Sequence, residues 1–454
     1  MRVARRQAVV EASAVAAGIA LVAAAVLLPG WDPGVRPRLD IGPQRFATHA
    51  QAAPLFGTWE IHAGWGTGPA IVLAVAAVIW GPRVAQRLSW RALTLSSWAI
   101  CCGWAFSLAM IDGWQRGFAG RLTTPDEYLY QVRSITDIPA TLQTFSSRII
   151  DYQPNSWVTH ISGHPPGALL TFVWLDRIGL HGGAWAGLLC LLVGSSTAAA
   201  VVIGVRALAD EQTARRAAPF VAVAPTAIWV AVSADGYFAG VVAWGIALLA
   251  VAVHRAVRYP ALLAAGAGLL LGWGVFLSYG LALIGLPALA VLVSASDWRA
   301  VLRALGPAFL AALAVAVTFA VAGFYWFDGY SLVQQRYWQG IAKYRPFGYW
   351  WWANLASVVC AIGLGSVAGL TRAFDLAAIR RRSGLGLLLL AMLAAIACAD
   401  LSMLSKAEVE RIWLPFTVWL TAAPALLPVR SQRLWLALNA AGALLVNTVM
   451  VTNW

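Results

Sequence analysis

Charged side chains are scarce in this sequence: Asp, Glu, Lys and Arg make up 11% of its 454 residues, against 60% hydrophobic ones. So few charges cannot cover the surface of a water-soluble body of this size, which excludes an ordinary soluble domain. Lysine is almost missing. Only Lys343 and Lys406 occur, so arginine carries most of the positive charge behind the formal net value of +13. The five cysteines, Cys101, Cys102, Cys190, Cys360 and Cys398, all lie in apolar runs. They show neither a disulfide framework nor metal-type spacing, and read as small buried hydrophobes.

What the sequence has in abundance is long apolar runs. Ala14–Leu28, Leu188–Val205, Val241–Val253 and Leu385–Ala399 carry no charge at all. A helix needs roughly 20 apolar residues to cross about 30 Å of hydrocarbon, and in lipid every backbone group must be bonded within its own segment. The expectation is an all-α, polytopic transmembrane helix bundle of about thirteen spans. These lie near 10–29, 67–81, 93–112, 184–206, 217–233, 237–253, 261–277, 279–295, 305–323, 351–370, 384–400, 412–428 and 434–451. Membrane topology accounts for the basic charge better than nucleic-acid binding does. The segments on one side hold 19 basic and 5 acidic residues, and those on the other 13 and 14. Positive charge stays inside, so the N-terminus is expected in the cytoplasm, the first span retained, and the long loops on the outer face.

Three loops on that outer side, 30–66, 113–183 and 324–350, are too long for turns, and a shorter one covers 400–411. Loops of this size in a compact protein are usually functional. Within the second, Leu129, Val132 and Ile135 share one helical face and Leu142, Phe145 and Ile149 another. Two short juxtamembrane helices split by Pro139 are expected, either flat at the membrane interface or packed as a small cap. The stretch Gly167–Leu180 is apolar, but Asp176 and Arg177 interrupt it after a dozen residues. An interfacial or re-entrant helix is expected there; as a span it would turn the arginine-rich segments outward.

Chemistry-bearing residues concentrate in these loops. Asp126 and Glu127 form an acidic pair just outside a span, placed to serve as a general base beside a second acid, or as first-turn helix charges behind Pro125. The same loop ends His164-Pro165-Pro166-Gly167, and a further acidic corner stands at Ser233-Ala234-Asp235. Arg336, Lys343 and Arg345 form a basic cluster able to hold a phosphate at headgroup level. Around them Trp338, Tyr344, Tyr349, Trp350, Trp351 and Trp352 read equally as sugar-stacking rings or as an aromatic belt. Lys406, Glu410 and Arg411 enter a span directly, where charge is costly and usually functional; a structural pair closing the bundle is the other reading. No metal site is read from the sequence.

The order of these elements resembles the membrane-embedded glycosyltransferases of the C superfamily, especially the protein O-mannosyltransferase and lipid A aminoarabinose transferase families. Those carry an Asp-Glu-x-x-Tyr loop outside a span, matched here by Asp126, Glu127 and Tyr130, and then a Pro-Pro segment, matched by His164, Pro165 and Pro166. A hairpin follows in both, with Ser278-Tyr279 here where those families usually have Thr-Lys. The resemblance covers roughly 93–350 and divides the chain into a two-span N-terminal extension (1–92), a glycosyltransferase-like module (93–350) and C-terminal spans (351–454). It implies transfer of a sugar from a polyprenyl-phosphate donor, with inversion, to a glycan, lipid or protein acceptor outside the cell membrane. Asp126 is then the base, Glu127 orients the acceptor or binds a cation, and Tyr130, His164, Asp235, Arg336, Lys343, Arg345, Lys406, Glu410 and Arg411 bind substrate. Abundant Ala, Arg and Trp with little Lys suit a GC-rich bacterial genome, for which mannosyl or arabinosyl transfer onto a cell-envelope glycan or lipoglycan is the expectation. A divalent cation is left open. The 30–66 loop, with Asp32, Asp40, His49, Glu60 and His62, has no counterpart and no assigned role. The competing class is a membrane transporter or lipid flippase, marked by internal repeats and mid-membrane polar groups; neither is evident.

Overall fold

The computed structural model describes residues 2–32, 34–38 and 51–453; Asp40 and His49 fall outside the described residues. All thirteen expected segments are helical. Among the described residues, eight helices are long and apolar enough to cross a membrane: Arg6–Trp31, Thr67–Arg87, Trp90–Ala109, Gly183–Leu208, Ala234–His254, Pro260–Leu277, Trp298–Val321 and Gly384–Leu401. Phe347–Ile362 and Leu364–Leu370 form a ninth candidate, bent by 106°. The bend has a local cause. Gly363 sits at φ +79, a conformation that side chains disfavour, and the Oδ1 of Asn439 accepts the Gly365 N–H at 2.8 Å.

The other four expected spans are broken, shorter or more polar. Near 217–233, Glu211–Ala222 stops before Pro225 and resumes only as Ala227–Val230. The carbonyl of Ala224, at that break, accepts the Ala227 N–H at 3.2 Å in a turn and the indole N–H of the buried Trp104 at 3.1 Å, as an irregular segment at membrane depth requires. This segment still runs the length of the bundle. Arg215 bonds the carbonyls of Ala85 and Leu88 at the turn between the second and third helices, while Asp235 lies at the opposite end beside Arg411. Tyr279–Val293 and Leu414–Leu426 are short apolar helices. Val429–Val449 has 21 residues but carries Arg430, Arg433, Asn439 and Asn447.

The helix Pro166–Arg177 has 12 residues, about 18 Å of rise, and is too short to span. It is not laid on a surface either: Pro166 through Val173 are buried in the protein. The 128–152 region forms the helices Leu129–Val132 and Ile138–Thr144 and a tight turn at Ser146–Arg148. Its apolar residues face protein instead of lipid. Phe145 and Ile149 are fully buried, and the Phe145 ring packs 5.3 Å from Trp157 and 5.5 Å from Phe324. Of the two arrangements expected, the packed cap is the one found.

The 30–66 loop is tied to the end of the chain. Gly57–Trp59 pairs antiparallel with Met450–Thr452, Gly57 opposite Thr452, a small ladder in an otherwise helical body. The pairing continues in the bonds Glu60 N–H to Val449 O and His62 N–H to Thr448 O.

Without a hydrophobic force between helices in lipid, close contact depends on small residues. Pro260–Leu277 meets Trp298–Val321 through Gly268 and Gly272 on one helix and Ala308 and Ala312 on the other. A Cβ on Gly268 would lie 1.9 Å from the Ala308 carbonyl. Gly268→Leu should therefore force the pair apart at a cost of about 1–3 kcal/mol. Differential scanning fluorimetry of the detergent-solubilised protein should show a fall of several degrees. Gly306→Ala, with open space at its Cβ position, should leave the midpoint in place.

Candidate functional site

At the end of the bundle that carries the 113–183 loop, the structure encloses a cavity of about 1890 Å³. Asp126, His164, Arg336, Lys343, Arg345, Lys406 and Arg411 all line it. The cavity also has an apolar arm. Val275, Phe276 and Ala316 line it from two membrane-spanning helices, Leu283 from a short apolar helix, and Cys398 and Ala399 from a third span. One space thus joins a charged end to the hydrocarbon-facing part of the bundle.

Asp126 and Glu127 are neighbours that point apart. Asp126 is exposed to the cavity, and its Oδ1 accepts the Thr159 hydroxyl at 2.8 Å while its carbonyl accepts the His160 N–H at 3.0 Å. Neither acid caps a helix, because the next one starts only at Leu129 with Tyr128 in the cap position. Glu127 turns into the protein and does not line the cavity. It is buried, with Oε1 3.6 Å from His160 Nε2 and no hydrogen bond to Oε2. Burial pushes its carboxyl up to about 8; Asp235 and Asp126 add to this, and Arg411 opposes it. His160 and His164 stand with their rings stacked 6.3 Å apart, and the carbonyl of His160 is 2.7 Å from His164 Nδ1. Burial lowers both, which keeps two neutral imidazoles beside the acids.

The charged end is organised by a chain of ion pairs. Asp235, in the first turn of Ala234–His254, accepts from Arg411 Nη1 at 2.5 Å. Arg411 Nη2 donates to Glu408 at 2.5 Å, and the other oxygen of Glu408 accepts from Arg345 at 2.8 Å. Arg345 then donates to the carbonyl of Lys406 at 2.7 Å. Burial alone would raise Glu408, but Arg345 and Arg411 overcome it and hold the carboxyl down at about 2. Lys406 donates to the Ala342 carbonyl at 2.6 Å and lies 4.4 Å over the Trp338 ring; burial brings it down to about 8. Ala407 and Glu408 both adopt positive φ, +67 and +63. Two consecutive strained residues persist only where surrounding contacts over-determine them, and these ion pairs supply such contacts.

Several expected residues are placed elsewhere. Tyr130 is 62% exposed and outside the cavity. Asp235 does not line it, and reaches it only through Arg411. Glu410 does not line it and makes no pair with Arg411. It is buried facing the 51–59 segment, where its Oε1 accepts the Phe56 N–H at 2.7 Å, and burial raises it to about 7. Arg336 is bound to Asp151 at 2.5 Å and to the Ser162 hydroxyl at 3.2 Å, apart from the Arg345 pair. Tyr349 and Trp350 are buried structural residues, bonding the carbonyls of Ala25 and Pro37; of the expected aromatics, Tyr344 lines the cavity. Sequence reasoning did not single out Thr159, His160, Asp151, Phe56 or the pairing role of Glu408. Glu408 lay in plain view three residues before Arg411; Phe56 gave no signal. Among the described residues no group of three or more His, Cys, Asp or Glu side chains is arranged to hold a metal ion.

The buried Glu127 generates a pH test. The folded chain keeps its proton from the ordinary carboxylate range up to about 8, while the unfolded chain has already lost it. The stability tied to that proton is complete at low pH and is lost as pH rises through this window. Glu127→Gln mimics the protonated form. Its thermal midpoint should match wild type near pH 5 and exceed it increasingly toward pH 8, as read by scanning fluorimetry across about pH 5 to 9. A constant offset at every pH would contradict the assignment.

No protein-family model matches the sequence, and no curated protein matches it. Solved structures do. The oligosaccharyltransferase of Archaeoglobus fulgidus in complex with Zn and sulfate superposes with a TM-score of 0.51 at 15% identity, over 79% of this chain and 52% of that one. Its apo form gives 0.50 at 14% identity, over 73% and 50%. ArnT from Cupriavidus metallidurans in the apo state gives 0.48 at 17% identity, over 75% and 60%. This chain therefore spans about half the length of the oligosaccharyltransferase. The polytopic helical fold expected from the apolar runs is the fold this chain shares with that oligosaccharyltransferase.

Proposed function

We propose that this chain is an integral membrane glycosyltransferase that moves a sugar from a polyprenyl-phosphate donor, with inversion, to an acceptor hydroxyl on the outer face of the cell membrane. The observation that carries the reading is one cavity lined by Asp126, Lys343, Lys406 and Arg411, which continues as an apolar arm between membrane-spanning helices. A polyprenyl chain suits the arm, and a phosphate suits the cationic end. The fold shared with an oligosaccharyltransferase supports the same class of reaction. The charge asymmetry of the connecting segments supports an outward-facing loop end and a cytoplasmic N-terminus. The 93–350 region supplies Asp126 and Arg345, and the C-terminal part supplies Lys406 and Arg411.

In this mechanism Asp126 accepts the proton of the acceptor hydroxyl as its oxygen attacks the anomeric carbon. The Thr159 hydroxyl occupies one carboxylate oxygen and leaves the other for that proton. The bond between the anomeric carbon and the phosphate oxygen breaks on the opposite face, and the polyprenyl phosphate leaves as an anion. Arg411 and Lys406 stabilise the charge that develops there. Asp235 and Glu408 fix the Arg411 guanidinium from two sides, so that its position needs no reorganisation during the reaction. Mannosyl or arabinosyl transfer onto a cell-envelope glycan or lipoglycan is the specific form proposed. A transporter or flippase would place its polar groups near mid-membrane; here the charged network lies at one end of the bundle, which favours an enzyme.

Two measurements test the reading. Asp126→Asn, assayed in membranes with radiolabelled polyprenyl-phosphate sugar, should lose transfer by roughly 10²–10⁴-fold while inserting normally; undiminished transfer removes Asp126 as the base. Lys406→Gln should raise the donor KM about tenfold, the effect of one charge-assisted phosphate contact. An unchanged donor KM would move the phosphate away from this end.

A further inference from the structure

The cavity has a second polar border, unlike the first in charge. Gln115, Arg116, Arg121 and Thr124 line it beside Asp126. The 56–62 segment, part of the loop for which the sequence suggested no role, braces this border, its Glu60 paired with Arg116 and its His62 with Asp112. Its Phe56 faces the cavity with the Arg345 guanidinium 5.3 Å from the ring. Four and six residues further along the extended chain, Glu60 and His62 reach the 112–121 segment. At about 3.3 Å per residue, Glu60 stands roughly 13 Å along the chain from Phe56.

At that border each guanidinium has its own carboxylate. Arg116 Nη1 meets Glu60 Oε1 at 3.0 Å, and Arg121 Nη2 meets Asp112 Oδ2 at 3.1 Å. The other oxygen of Asp112 lies 2.6 Å from His62 Nε2. At the opposite end four cations, Lys343, Arg345, Lys406 and Arg411, line the cavity together, with Glu408 pairing both arginines and Asp235 pairing Arg411. An anion gains from the unbalanced end and nothing from the balanced one. A group of hydroxyls has the reverse preference: a guanidinium has five N–H donors and a carboxylate about four lone-pair sites, so each pair keeps donors and acceptors to spare. Tyr152, 75% exposed, adds an aromatic face to the cavity wall, against which the C–H face of a sugar ring can stack.

We propose that the 112–124 segment, braced by Glu60 and His62 of the 56–62 segment, forms the acceptor subsite, and that the acceptor is an uncharged carbohydrate recognised through its hydroxyls. The inference rests on the glycosyltransferase reading above and names the substrate class of that site. Glu60 and Arg116 are positioning residues that hold the acceptor sugar so that one hydroxyl meets Asp126.

The test uses the full-length enzyme in nanodiscs with a labelled polyprenyl-phosphate sugar and four acceptor probes. Octyl α-mannoside and octyl α-arabinofuranoside are neutral, octyl β-glucuronide is anionic, and a capped threonine hexapeptide stands for a protein acceptor. At least one neutral glycoside should be used with a KM at least tenfold below those of the glucuronide and the peptide. Glu60→Gln and Arg116→Gln, whose side chains are 48% and 44% exposed and tolerate change, should each raise the acceptor KM about tenfold and leave the donor KM alone. Equal or better use of the glucuronide or the peptide overturns the proposal, as does a shift confined to the donor KM. If no probe is glycosylated, saturation-transfer NMR decides. Binding of the neutral glycosides that is lost in both variants upholds the subsite, and no such binding rejects it. Titration with undecaprenyl phosphate separately reports whether the donor reading stands.

Discussion

The guanidinium of Arg411 is where the parts of this molecule meet. It is buried between Asp235, at the start of a central membrane helix, and Glu408, on a strained turn that also holds Arg345 from the 324–350 loop. Its own charge is reinforced by both acids, despite a burial that works against it. A charge taken this far from water is tolerated only with its partners in place, and removing one partner is far more costly than never having built the pair. The arrangement therefore makes three distant stretches of sequence interdependent: none of the three can be displaced without leaving a charge stranded. Such a network is weak evidence for stability and better evidence for position, which is what a cationic end for a leaving phosphate requires.

Rigidity at this end contrasts with the freedom of Asp126. The acid is presented on a turn, exposed, and held through one hydroxyl and one backbone bond. Its neighbour Glu127 turns inward and holds its proton. Two adjacent carboxyls thus end in opposite surroundings, one exposed to the cavity and the other buried with its proton held by desolvation.

The helical architecture was legible because hydrocarbon thickness writes itself into the length of apolar runs, and the charge of the connecting segments follows from insertion. The failures have physical reasons too. The spans near 217–233 and 351–370 read as continuous because apolarity does not reveal a break whose backbone groups are bonded by Trp104 or Asn439. Asp126 was visible through its order among other motifs. Glu408 was passed over for Glu410 because the two differ only in direction, and that direction is set by a left-handed turn at Ala407 and Glu408 that no propensity at Ala or Glu would suggest. Tyr130 looked like part of a motif, yet it projects from the far side of a four-residue helix. Phe56 could not be found at all: its place depends on a ladder between residues nearly four hundred positions apart.

That ladder has a consequence for the order in which the molecule comes into being. Met450–Thr452 are synthesised after every described membrane helix, and until they emerge Gly57–Trp59 has no strand to join. The segment's other ties in the folded molecule run to the middle of the sequence and to its later helices, from the Glu60 carboxylate to Arg116 and from the Phe56 N–H to Glu410. One part of the molecule's outer end thus depends on two short stretches that lie nearly four hundred positions apart in the sequence.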